Sequence, residues 1–118
     1  MTIARVLPLH IHGALEAALA VILMAASLAF GLNPAAMVLS FALGALLLGV
    51  ALASHAGERS SLAVSTHVAL DLVFAFTSAV AALAFGLAGE VLPGAVLAGA
   101  ALLLLLLSSL TRYSAVRT

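Results

Sequence analysis

Four apolar stretches, each about 20 residues long, fill almost the whole chain, and little separates one from the next. They run over about 9–31, 34–53, 62–86 and 91–110. An α-helix rises 1.5 Å per residue, so a stretch of this length reaches across the roughly 30 Å hydrocarbon core of a bilayer. With 66% hydrophobic and 7% charged residues in 118, there is too little polar surface to cover a soluble fold. The sequence therefore reads as an integral membrane protein. Its turns are too short and its apolar runs too long for a β-barrel, which leaves helices that satisfy their own backbone groups. Gly31-Leu32-Asn33-Pro34 stops one helix and starts the next, and Leu87-Ala88-Gly89-Glu90 is expected to do the same. Ser54 to Ser61 is the one longer hydrophilic connector.

The two halves repeat each other at a spacing of 55 residues. His12 and Glu16 return as His67 and Asp71, Leu28-Ala29-Phe30-Gly31-Leu32 returns as Leu83-Ala84-Phe85-Gly86-Leu87, and Gly44-Ala45 returns as Gly99-Ala100. The expected fold is all-α integral membrane: four transmembrane helices as two tandem helical hairpins, in one four-helix domain over 1–118, with repeats at about 9–54 and 62–110. Each copy has an even number of spans, so both enter the membrane in the same direction. A pseudo-twofold axis along the membrane normal should relate them. Arg5, Arg59, Arg112 and Arg117 all flank the same ends of the spans, which places both termini in the cytoplasm by the positive-inside rule. Arg5 before an apolar run resembles a secretory signal. That run is longer than a signal core, contains His12 and Glu16, and matches an internal segment, so it reads as a span.

Helical spacing sets the direction of the repeated polar residues. His67, Asp71, Phe74, Ser78, Ala82 and Phe85 recur at three- and four-residue steps, and His12, Glu16, Leu19, Leu23, Ala26 and Phe30 form the matching stripe. A carboxylate facing lipid costs several kcal/mol, so both stripes should face the bundle interior and, under the pseudo-twofold, each other. The histidines would lie shallow on the cytoplasmic side, with the acids one turn deeper.

Four readings fit this quartet. In the first, each His hydrogen-bonds the acid four residues along its own helix, and the polar pairs only fix helix packing. In the second, His12, Glu16, His67 and Asp71 are ligands to zinc or another first-row metal. In the third, His12 and His67 ligate a haem iron or the central metal of a pigment. In the fourth, Glu16 and Asp71 exchange protons with the adjacent imidazoles along a proton or cation pathway. The simplest expectation is that no cofactor is bound.

Other residues fit plainer roles. His10 and His55 read as solvated interfacial histidines, Tyr113 beside Arg112 as an interface anchor, and Glu90 as a solvated turn residue. Gly44 and Gly99 suggest close packing between hairpins. With no Cys, the chain has no disulfide, thiolate chemistry or Cys-based metal site. Ser-His-Asp order, a phosphate-binding glycine loop and a zincin motif are also missing, so no enzyme is expected. Zero net charge without a basic cluster predicts no nucleic-acid partner. The expected function is a non-enzymatic structural or accessory subunit. Its partners would be the lipid bilayer and either copies of itself or other membrane subunits, met through faces such as Leu102 to Leu107.

The unit Leu-Ala-Phe-Gly-Leu, Asn33-Pro34-Ala35-Ala36 and Gly44-Ala45-Leu46 resembles the SPW-repeat membrane proteins over nearly the whole chain. That family is built from tandem two-helix repeats with a Ser-Pro-Trp motif late in the first helix. Here those positions read Ala26-Ser27-Leu28 and Ala81-Ala82-Leu83. The resemblance implies the architecture and no activity. The chain is also similar to the small multidrug transporters in length, span number and an acid in the first span. That similarity implies a proton-coupled transporter with Glu16 as its coupling carboxylate, although Trp is absent and span three holds a second acid.

Overall fold

In the computed structural model, described over residues 7–54 and 64–111, the chain forms four α-helices: α1 (Leu9–Ala29), α2 (Pro34–Ser54), α3 (Val64–Leu87) and α4 (Val91–Leu110). All four are long and apolar enough to cross a membrane. Among the described residues the only β-type pairing is an isolated bridge between Leu7 and Thr111. His55, Tyr113 and the four arginines lie outside the described residues.

The helices pack most closely as α1 with α2 and α3 with α4, while α1 with α4 and α2 with α3 close the ring. This order puts α1 and α3 at opposite corners. The core follows the helical period: Ala20, Leu47, Ala75, Leu104 and Leu107 form one apolar cluster, and Leu23, Leu43 and Leu97 form another. On the outside, apolar side chains are uncovered on every helix, for example Leu28, Val38, Phe76 and Leu102. A helix that is apolar all round fits a lipid surrounding. The expected contact face Leu102 to Leu107 is divided, because Leu104 and Leu107 turn into the core while Leu102, Leu103, Leu105 and Leu106 face out.

The identical pentapeptides of the two halves fold differently. In the first, α1 stops and Gly31 takes a left-handed φ of +65°, the usual device for a helix C-terminus. Pro34 enforces that stop, since it disfavours helical backbone at Asn33 and begins α2 itself. Asn33 then caps α2, its Oδ1 accepting from the Ala36 backbone N–H at 2.9 Å. In the second half the proline comes later, at Pro93, so the helix runs straight through Gly86 to Leu87. The left-handed glycine there is Gly89, at +84°. The first helices of each half keep the 55-residue register, whereas α2 and α4 start 57 residues apart. This shift explains why Gly44 and Gly99 are not equivalent. Gly44 lets α2 close on α1 within one hairpin, where a Cβ would stand 3.0 Å from the Ala20 carbonyl oxygen, but a Cβ on Gly99 would meet nothing within 4 Å. The equivalent close approach in the second hairpin is made by Gly94 against Ala82.

The candidate polar centre

On α1, one helical turn separates His12 from Glu16, and on α3 the same turn separates His67 from Asp71. All four are buried, at 0, 0, 2 and 1% exposure respectively. The outer parts of the two stripes are less enclosed, with Ala26 half-buried and Phe30 on the surface. One donor atom from each of the four side chains lies within 4.8 Å of all the others.

The contacts are crossed. His12 Nε2 lies 3.0 Å from Asp71 Oδ2 and 3.7 Å from Glu16 Oε2, while His67 Nε2 lies 2.8 Å from Glu16 Oε1 and 3.2 Å from Asp71 Oδ2. Each imidazole is thus nearer the acid of the other half than the acid on its own helix, which differs from the expected pairing within each helix. The two rings meet edge to face, with centroids 5.3 Å apart at 66°.

Thr111, at the end of α4, is a member of the centre that the repeat did not reveal. It is fully buried, its hydroxyl donates to the Leu107 carbonyl at 2.7 Å, and its oxygen is 2.7 Å from His12 Nδ1. Because the hydroxyl proton is already committed to Leu107, His12 Nδ1–H must be the donor to Thr111. A hydrogen bond between His12 Nε2 and Asp71 Oδ2 then needs a further proton, either on the ring, which would donate to the carboxylate, or on the carboxyl group, which would donate to the ring. With both imidazoles neutral and both acids ionised, the quartet carries two negative charges, so two added positive charges balance it. Among the described residues, Glu16 Oε2 and Asp71 Oδ1 are buried and accept no hydrogen bond.

The surroundings close the centre on the side of the bundle interior. Ala20, Leu47, Ala75 and Leu104 form the next layer beyond the acids. At the other side, the Leu7 N–H donates to the Leu110 carbonyl at 2.9 Å, tying the entry of α1 to the end of α4 beside Thr111. His10, by contrast, is exposed at the start of α1 and stands apart from the quartet. Glu90 is also exposed, but it accepts a hydrogen bond from Asn33 Nδ2 at 3.1 Å, which links the two interhelical turns.

No known family matches the chain, and no curated protein or solved structure shows detectable similarity to it.

Proposed function

We propose that this chain is a four-span integral membrane protein of two tandem hairpins, related by a pseudo-twofold along the membrane normal, with both termini in the cytoplasm. Its role is structural and non-enzymatic: a subunit of a homo-oligomer or a larger membrane complex, in which the polar centre latches the two hairpins together. The crossed His–acid contacts carry this reading. Pairs closed within each helix would stabilise each hairpin separately, whereas crossed pairs exist only when both hairpins are docked in one register. In a low-dielectric interior a separated hairpin would leave a His and an acid without their better partners, so mispacked arrangements are penalised. The uncovered apolar side chains on all four helices support a setting of lipid and neighbouring helices.

A haem or pigment ring gains no support from the same geometry, since the two imidazoles meet edge to face and both Nε2 atoms are directed at carboxylates. The transporter reading needs a polar route onward from Glu16 and Asp71; the apolar Ala20, Leu47, Ala75 and Leu104 come next, and the buried hydroxyls of Ser27, Ser40 and Ser78 lie further along the helices.

A double-mutant cycle tests the latch. His12→Ala and Asp71→Ala, singly and together, should show a coupling of about 1–3 kcal/mol in detergent unfolding, and His12→Ala with Glu16→Ala a smaller one. A larger coupling within the helix than across the hairpins would overturn it. Stoichiometric recovery of other membrane subunits, or of a defined homo-oligomer, in mild detergent tests the subunit role, and a monomer would count against it.

A further inference from the structure

The quartet has the composition and dimensions of a metal site. Zinc bound by His nitrogen and carboxylate oxygen has bonds of about 2.0–2.2 Å, so the edges of its ligand tetrahedron measure about 3.3–3.6 Å. The nitrogen-to-oxygen separations in the centre are 2.8, 3.0, 3.2 and 3.7 Å, the first and last to different oxygens of Glu16, and one ligand atom from each of the four side chains lies within 4.8 Å of all the others. An ion could be accommodated once the widest of these separations closes by about an ångström toward the tetrahedral edge.

Three further observations point the same way. Among the described residues, Glu16 Oε2 and Asp71 Oδ1 are buried oxygens that accept no hydrogen bond, so the carboxylates keep lone pairs that these neighbours leave unused. Thr111 holds His12 by Nδ1, which in the neutral ring leaves the Nε2 lone pair turned toward Asp71 and Glu16. This is the usual arrangement around a metal-bound His, whose second nitrogen donates to an outer oxygen that fixes the tautomer. Finally, two carboxylates among two neutral imidazoles leave a charge that one dication balances, in surroundings where an unbalanced charge is costly.

We propose that the centre binds one divalent first-row transition metal ion, of the zinc class, through His12 Nε2, His67 Nε2, Asp71 Oδ2 and one oxygen of Glu16, with Thr111 as the positioning residue for His12. Two imidazoles in the set select against magnesium and calcium, which prefer six or more oxygen ligands. The ligands come in equal number from the two hairpins, so the ion would clamp the same interface as the crossed contacts. The proposal uses the same quartet but does not depend on the size of the latch energy, which is measured on metal-free protein.

The test uses the full untagged chain in detergent, stripped with a chelator and titrated with Zn2+ against a chromophoric competitor, and separately loaded with Co2+. The expected results are one ion per chain, no competition from a large excess of Mg2+, and the intense visible absorption of four-coordinate Co2+. His67→Ala should weaken Zn2+ binding at least 100-fold, and Thr111→Val, which keeps every ligand, about 10–100-fold. Should His67→Ala fail to fold, Thr111→Val and the Co2+ spectrum of the unaltered chain still decide the matter. No bound ion, a weak six-coordinate Co2+ spectrum, or equal Zn2+ affinity in the Thr111→Val protein would overturn the assignment. None of those results touches the coupling between His12 and Asp71 in metal-free protein.

Discussion

His12 is joined to Asp71, on the opposite hairpin, by a 3.0 Å contact, and the same Asp71 oxygen stands 3.2 Å from His67. One carboxylate oxygen therefore serves an imidazole from each half. Removing it deprives two buried histidines at once, and the low dielectric around them offers no water in compensation. Asp71→Leu should destabilise the protein by about 3–5 kcal/mol, the range for breaking a buried pair by deleting one member. Glu90→Ala, which removes one exposed hydrogen bond from Asn33, should change stability by about 0.5 kcal/mol or less. Thermal unfolding of the two variants in the same detergent compares them directly. Equal midpoints would mean that the crossed contacts contribute nothing.

Gly44 and Gly99 occupy equivalent places in the repeat and different places in the bundle. A Cβ on Gly44 would stand 2.6 Å from Met24 Cγ and 3.0 Å from the Ala20 carbonyl oxygen. The Met side chain can swing aside, but the carbonyl belongs to the α1 backbone, so the two helices must part. Gly44→Ala should therefore destabilise by about 1–3 kcal/mol, the usual cost of overpacking. Gly99→Ala meets open space and should stabilise slightly through helix propensity. If both substitutions have the same sign and size, the close approach of α1 and α2 at Gly44 is not what holds that hairpin.

The four apolar helices and the quartet were legible in the sequence because both follow from period and polarity. Apolar runs of bilayer length admit few folds, and a His and an acid one turn apart on such a run must face inward. The crossed partnership was not legible. Spacing within one helix shows that His12 can reach Glu16, but the shorter contact to Asp71 depends on how α1 and α3 are rotated across the bundle, which is set by packing at Ala20, Leu47, Ala75 and Leu104. Thr111 lies just beyond the apolar run that ends at about residue 110. Its signal was the continuation of the α4 core face, Leu97, Ala101, Leu104 and Leu107, by one more turn. The 55-residue register failed in the second helices because it counts residues through a turn, and the turn is where Pro34 stops one copy earlier than the other.

That difference between the turns yields a third pair of variants. Gly31 has a φ of +65°, where a Cβ is unfavourable, so Gly31→Ala should cost about 1–2 kcal/mol even though nothing lies within 4 Å of the added atom. Gly86, its partner in the identical pentapeptide, is inside α3 with open space at the Cβ position. Gly86→Ala should gain up to about 1 kcal/mol. Opposite signs for the same substitution in the same five-residue sequence would show that the sequence after the pentapeptide decides the backbone. Matching signs would contradict the helix ends described above.

The membrane orientation can be read with single cysteines, because the chain has none of its own. All four arginines flank the ends of the spans that carry the termini and the connector around Arg59, while the turns at Asn33 and Glu90 lack basic residues. A cysteine at Glu90 is exposed and adjoins the turn between α3 and α4, so a membrane-impermeant thiol reagent applied to intact cells should label it. A cysteine replacing Thr118, which follows α4 in the sequence, should react only after the cells are opened. The polar centre lies near the terminal ends, since Thr111 closes α4 against His12, so this result would also place the quartet in the cytoplasmic half of the bilayer. Labelling in the reverse pattern would put the quartet in the outer half, exposing its metal chemistry to the other side of the membrane, and would show that four arginines do not set the direction of insertion here.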